Sequence, residues 1–128
     1  MIVGLNCVVV ESANVDAWDL VRLEAPFNAS TADGNRYLMI AVIVTNKLGD
    51  STPVEVDGTD FSIVGSSGMY RDWLEWGCGF RSDALDATLY NGGSTRGNIC
   101  FEVGVNETGF ILSHGGATWA SLGSLGDK

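Results

Sequence analysis

Three cysteines, one histidine and 16 carboxylates are the groups in this chain that could do chemistry. Cys78, in Trp76-Gly77-Cys78-Gly79-Phe80, and Cys100, in Gly97-Asn98-Ile99-Cys100-Phe101-Glu102-Val103, set a loop cysteine against a strand cysteine. Joined, they would close a loop of about 22 residues and stabilise the domain by roughly 3 kcal/mol in the chain-entropy account. Such a bond persists in an oxidising compartment. The alternative is two reduced thiols, buried separately. Cys7, beside Val8, Val9 and Val10, reads as a small buried hydrophobe. It is no lipid-anchor cysteine, because Gly4-Leu5-Asn6 supplies neither an apolar leader nor the small residues needed before it.

Nothing else converges on a reaction. Zinc requires three or four ligands at defined spacing, and neither a Cys-x-x-Cys nor a paired histidine is present. Ser113 and His114 are neighbours in a strand-like run, so they point to opposite faces and cannot act as nucleophile and base on each other. No pair of carboxylates can be singled out for glycosidase chemistry. The expectation is a protein that is not an enzyme, with no catalytic residues, no cofactor and no metal. Asp33-Gly34-Asn35 and Asp57-Gly58-Thr59-Asp60 are acidic turns lacking the ligand density of a calcium loop, so they read as ordinary turns. Asn28-Ala29-Ser30 and Asn106-Glu107-Thr108 match the short glycosylation pattern, which has meaning only in a eukaryotic secretory setting. Tyr70, Trp73, Trp76 and Phe80 crowd one region and are the candidate binding residues, able to stack on a sugar or a partner protein. The competing reading is that they cap one open end of the fold; Trp119 reads as core.

The elements that must position these groups are strands. No window of a dozen residues sustains apolar residues at i, i+3, i+4 and i+7. Strand patterns cover Leu5–Glu11, Trp18–Leu23, Arg36–Thr45, Thr59–Val64, Met69–Trp73, Thr95–Val103, Gly109–His114 and Ala117–Leu122. Arg36–Thr45 is apolar nearly throughout, as suits a strand buried on both faces. Gly65-Ser66-Ser67-Gly68 reads as a four-residue hairpin loop and Asn91-Gly92-Gly93-Ser94 as another turn. A short helical turn is expected somewhere in Asp72–Leu85, and a long loop in Leu23–Asn35. About seven to nine short strands with turns between them predict an all-β, two-sheet antiparallel sandwich. One domain is expected over residues 1–122, followed by a frayed tail at 123–128.

Composition sets the remaining bounds. The chain has 128 residues, 45% of them apolar and 18% charged, the balance of a folded domain. Its net charge is -9, and its seven basic residues are scattered singly, which argues against a nucleic-acid surface. The longest apolar run, Tyr37–Val44, falls far short of the roughly 20 residues a membrane-spanning helix needs. Met1-Ile2-Val3-Gly4 enters a strand pattern at once, without a basic segment or an apolar leader. The cysteine pattern then favours export with the leader lying outside this sequence.

Pro26-Phe27-Asn28, Gly34, the run Tyr37–Val44, Asp60-Phe61-Ser62-Ile63-Val64-Gly65, Cys78-Gly79, Gly92-Gly93 and Gly97–Val103 together carry a resemblance. In order and spacing, nearly the whole chain resembles a bacterial family of immunoglobulin-like domains of unknown function found in secreted proteins and lipoproteins. It is similar in architecture to a mycobacterial secreted immunogenic protein. The resemblance implies an immunoglobulin-like antiparallel sandwich, export, and a disulfide between Cys78 and Cys100. It implies no catalytic residues. The chain departs from the family in having Gly104 after Val103, where proline is frequent, and in lacking the leader. The resulting expectation is a non-enzymatic extracytoplasmic module that binds a protein or cell-envelope component, secreted or lipid-anchored from upstream of this sequence. The alternatives are a carbohydrate- or calcium-linked surface domain and an intracellular assembly subunit.

Overall fold

The structure, a computed structural model, describes residues 2–3, 6–14, 34–47, 49, 51–77, 84–114 and 118–121, with backbone alone described at 2, 3, 6, 7, 14, 114 and 118–121. Ten strands occur among the described residues, one or more beyond the expected number: β1 (Ile2–Val3), β2 (Asn6–Asn14), β3 (Asn35–Thr45), β4 (Val54–Asp57), β5 (Phe61–Val64), β6 (Tyr70–Asp72), β7 (Asp86–Leu89), β8 (Ser94–Gly104), β9 (Ile111–His114) and β10 (Thr118–Ser121). One helical turn, α1 (Trp73–Trp76), follows β6. Every strand pairing is antiparallel. One sheet runs β1-β2-β3-β8, a second β10-β9-β5-β6, and β4 pairs with β7 as a two-stranded ribbon. The predicted all-β antiparallel sandwich of immunoglobulin-like kind is the fold that forms.

The long strands β3 and β8 are its backbone. Their register sets Leu38 opposite Phe101 and Ile40 opposite Ile99, and all four side chains are at most 1% exposed. On the other side of β3, Val8 lies opposite Val44 and Val10 opposite Val42, before an irregularity between Val10 and Ser12 resets the pairing to Ala13 and Ile40. Phe61, Ile63 and Leu112 from the second sheet, and Val56 and Leu89 from the ribbon, complete one continuous apolar cluster. β3 is buried in four successive residues, Tyr37–Ile40, and alternates beyond them. It is therefore enclosed on both faces over only the first half of its length.

Two sequence expectations shift. Thr59 and Asp60 do not begin a strand: Gly58–Asp60 form a 3-10 turn, capped by Asp57 and closed reciprocally by Asp60. Trp73 does not end β6 but starts α1, because the Asp72 side chain accepts the Glu75 N–H at 2.8 Å. The helical turn expected within Asp72–Leu85 is this one. The expected strand Trp18–Leu23, the loop through residue 33 and the tail at 123–128 lie outside the described residues.

Candidate functional site

The chain after α1 returns to the free edge of β8. Gly77 bridges to Phe101, Ala84 bridges in parallel to Asn98, and the Leu85 N–H donates to the Asn98 carbonyl at 3.0 Å. That return, the ribbon and the capped 3-10 turn enclose a pocket of about 200 Å³. Asp57, Gly58 and Thr59 form one side, Trp73 another, and Ala84, Leu85, Asp86 and Asn98 the rest. Leu85 is buried and Trp73 packs against the apolar cluster, so the inner wall is rigid and greasy. The Trp73 indole lies so close over Gly58 that a Cβ there would meet ring atoms at 2.9 Å.

The rim is acidic. Asp57 and Asp86 are directly opposite each other in the β4–β7 ladder. Like charges in that relation cost stability. One Asp57 oxygen accepts from the Thr59 N–H at 2.8 Å and from the Thr59 hydroxyl, and the Asp57 N–H donates to Asp60 Oδ2 at 3.0 Å. This is the ordinary turn expected of Asp57-Gly58-Thr59-Asp60, with one oxygen of each aspartate engaged within it. Among the described residues no three His, Cys, Asp or Glu side chains cluster as a metal site requires.

A second polar centre went unread in the sequence. Arg71 stands opposite Ile63 on the inner face of β6, where a cation must be paired or excluded. Glu107 meets it in two contacts, Nη2 to Oε1 at 2.6 Å and Nη1 to Oε2 at 3.0 Å, with both side chains less than a tenth exposed. Ser67 Oγ donates to Glu107 at 2.7 Å and the Gly104 N–H at 2.8 Å. Arg36 reaches the Glu107 carbonyl at 3.0 Å, and the Arg71 guanidinium lies over Trp76, 5.1 Å from the ring centroid. Burial pushes the Glu107 carboxyl up, but the hydrogen bonds from Arg71, Gly104 and Ser67, with the Arg71 charge, outweigh it and hold the carboxyl below its ordinary value. This clamp ties the end of β8 to β6 across the sandwich. A smaller one is Asn46, fully buried, whose side chain donates to the carbonyls of Leu89 at 2.9 Å and Thr52 at 3.2 Å. Burial and then the Glu102 charge raise the Tyr37 hydroxyl above its usual range.

The candidate binding aromatics separate. Trp73 and Trp76 are partly buried against the apolar cluster, and Trp73 lines the pocket, which Tyr70 and Trp76 do not. Tyr70 is 56% exposed and stands in a cross-strand row with Val64 and Ile111 on the outer side of the second sheet. Phe80 and Cys78 lie outside the described residues, as do the side chains of Cys7, His114 and Trp119. Cys100 is buried in β8. Ser113 is fully buried and has no hydrogen-bond partner at its hydroxyl among the described residues.

The fold defines a small antiparallel β-sandwich, with a pocket beside the β4–β7 ribbon among the described residues. The chain belongs to the family described as Domain of unknown function (DUF4352), matched over residues 8–121. No curated protein matches it. Among solved structures it is similar to that of YcdA from Bacillus subtilis, provisionally classed as a lipoprotein, with a TM-score of 0.58 and 19% identity. The likeness covers 89% of this chain and 32% of that one. This chain therefore spans about a third of the length of that protein, and the likeness is one of fold.

Proposed function

We propose that this chain is a non-enzymatic, extracytoplasmic immunoglobulin-like module that binds a protein or a cell-envelope component. The observation that carries the reading is Cys100, buried in β8 and disulfide-bonded, a state maintained outside the reducing cytoplasm. Cys7 is too far away to be its partner. Cys7 pairs with Thr45 on β3 and Cys100 with Met39, a separation of six residues, or about 20 Å of strand. Disulfide-linked Cα atoms lie within about 7 Å. The partner that the family resemblance implies is Cys78. The likeness to a protein provisionally classed as a lipoprotein supports the same compartment. The exposed Met69, Tyr70 and Ile111 supply apolar surface of the sort that partner proteins cover.

The test is an intact mass and peptide map of protein from its native host, alkylated under denaturing, non-reducing conditions. One alkylated thiol, at Cys7, with a linked Cys78–Cys100 peptide is the expected result. Three alkylated thiols would overturn the extracytoplasmic reading and favour an intracellular assembly subunit.

A further inference from the structure

We infer that Asn91 is a site of spontaneous covalent modification, converting to aspartate and isoaspartate through ring closure onto the Gly92 nitrogen, and that Asn46 restrains the reaction while the turn is closed. Asn91 and Gly92 are both exposed in the connection from β7 to β8. Gly92 has no side chain to hinder the approach of its nitrogen to the Asn91 side chain. No other asparagine in the chain precedes a glycine. The native geometry opposes the reaction. The Gly93 N–H donates to the Tyr90 carbonyl at 2.7 Å and Gly92 has a φ of 80°, with no positive φ at Asn91. Those are the marks of a type II turn, whose central peptide has its nitrogen rotated away from the Asn91 Cβ. Ring closure requires that nitrogen on the Cβ side. The Gly92 N–H is also donated to the Asn46 carbonyl at 2.9 Å, while Asn91 Oδ1 accepts the Gly49 N–H at 3.1 Å. Asn46 is fully buried, and its own N–H and side-chain amide donate to the carbonyls of Gly93 and Leu89, each at 2.9 Å. The turn is wrapped round one buried asparagine and must leave it before the Gly92 nitrogen can attack.

When the turn opens, solvent base removes the Gly92 N–H proton, the nitrogen bonds to the Asn91 Cγ, and the side-chain amide nitrogen leaves as ammonia. Water then opens the five-membered imide. Attack at Cγ gives aspartate, and attack at the backbone carbonyl carbon gives isoaspartate. Either product adds one negative charge. The aspartate keeps an acceptor for the Gly49 N–H, so the turn re-forms. Isoaspartate inserts an extra methylene into the backbone of the turn. The contacts of Gly92 and Gly93 with Asn46 and of Gly93 with Tyr90 then cannot all re-form, and buried groups of Asn46 lose partners. Conversion to isoaspartate is thus a one-way loosening of the tie between this turn and the residue that follows β3. The modification is independent of compartment and of any binding partner.

The test is peptide mapping by mass spectrometry that separates aspartate from isoaspartate, on protein held at mildly alkaline pH with and without denaturing urea. In urea, Asn91 should convert faster than any other asparagine. The folded protein should convert there at least about tenfold more slowly, because local opening must precede attack. Asn46→Ala, shown to be folded by near-ultraviolet circular dichroism, should accelerate conversion at least about threefold over the folded wild type. Hydrogen exchange at the Gly92 amide of the wild type is a second measure that needs no variant: the slowing of conversion in the folded protein should match the protection of that amide within about threefold. Equal rates with and without urea, a folded Asn46→Ala that converts no faster, a slowing unrelated to Gly92 protection, or another asparagine leading in urea would each overturn the assignment.

Discussion

Replacing Glu107 with alanine should be among the most damaging single changes available in this protein. Both members of the Arg71–Glu107 pair are under a tenth exposed, and the contact is bidentate. Removing the carboxylate leaves the Arg71 guanidinium inside the sandwich, beside the Trp76 ring and without its counter-charge. Breaking a buried pair from one side costs about 3–5 kcal/mol. The Gly104 N–H loses its acceptor as well, whereas Ser67 is exposed and recovers water. Against a total stability of about 5–15 kcal/mol for a domain, that loss removes roughly a fifth or more. It should lower the melting temperature by about 10–20 °C.

Chemical denaturation of wild type, Glu107→Ala, Arg71→Met and the double variant measures the change and the coupling. The double variant should recover part of the loss, because no charge is then stranded, while the space left by the Glu107 side chain and the unpaired Gly104 N–H keep the rest. The pH dependence follows from the same group. Its folded pKa lies below the ordinary 4.5. Its contribution is therefore fully present above the unfolded value and is lost as pH falls through the folded one. The gap between wild type and Glu107→Ala should thus be constant near neutrality and narrow in acid. A loss under about 1 kcal/mol at pH 7 would refute the reasoning, since it would mean that water reaches Arg71 readily.

Three further outcomes are expected. Asn46→Ala should cost about 1–3 kcal/mol by denaturation, because the carbonyls of Leu89 and Thr52 lose their shared donor. Gly97→Ala should cost at least about 2 kcal/mol, since its Cβ would fall 2.5 Å from the Leu85 Cα, backbone that must move to make room; a neutral result would show that the return strand is loosely held. Asp86→Asn should raise stability by about 0.2–1 kcal/mol by removing one of two opposed charges, read as a higher urea midpoint.

The long strands were legible because each carries its own pattern. Tyr37–Val44 and Asn98–Val103 are apolar enough to announce themselves, and their ends moved by one residue. β4 and β7 were missed for a physical reason. Val54-Glu55-Val56-Asp57 and Asp86-Ala87-Thr88-Leu89 are four residues each, end or begin in aspartate, and have strand character only because they pair with each other across 29 residues of chain. Thr59-Asp60 was misread although a local signal existed: Asp57 followed three residues later by Asp60 is the spacing of a capping box, and the turn it closes is what stops β4.

The site was half legible, and the missing half is the informative one. Trp73 stood out by type and Asp57-Gly58-Thr59-Asp60 by acidity, but as separate features, and nothing marked Asp86. Their meeting depends on the β4–β7 register and on the return of the chain at Ala84 and Leu85 to β8. Glu107 was visible only as the middle of an Asn-x-Thr triplet, and Arg71 only as one charge in a strand. The two charge arrangements are resolved in opposite ways. Inside the sandwich, Arg71 and Glu107 pair through both Nη atoms and both carboxylate oxygens, and the pair holds structure. At the rim, Asp57 and Asp86 stand opposite each other in the ladder nearer to solvent, and Asp57 spends one oxygen on capping the 3-10 turn. The buried charges of this sandwich are thus structural, held where a cation and a carboxylate from different strands meet away from water.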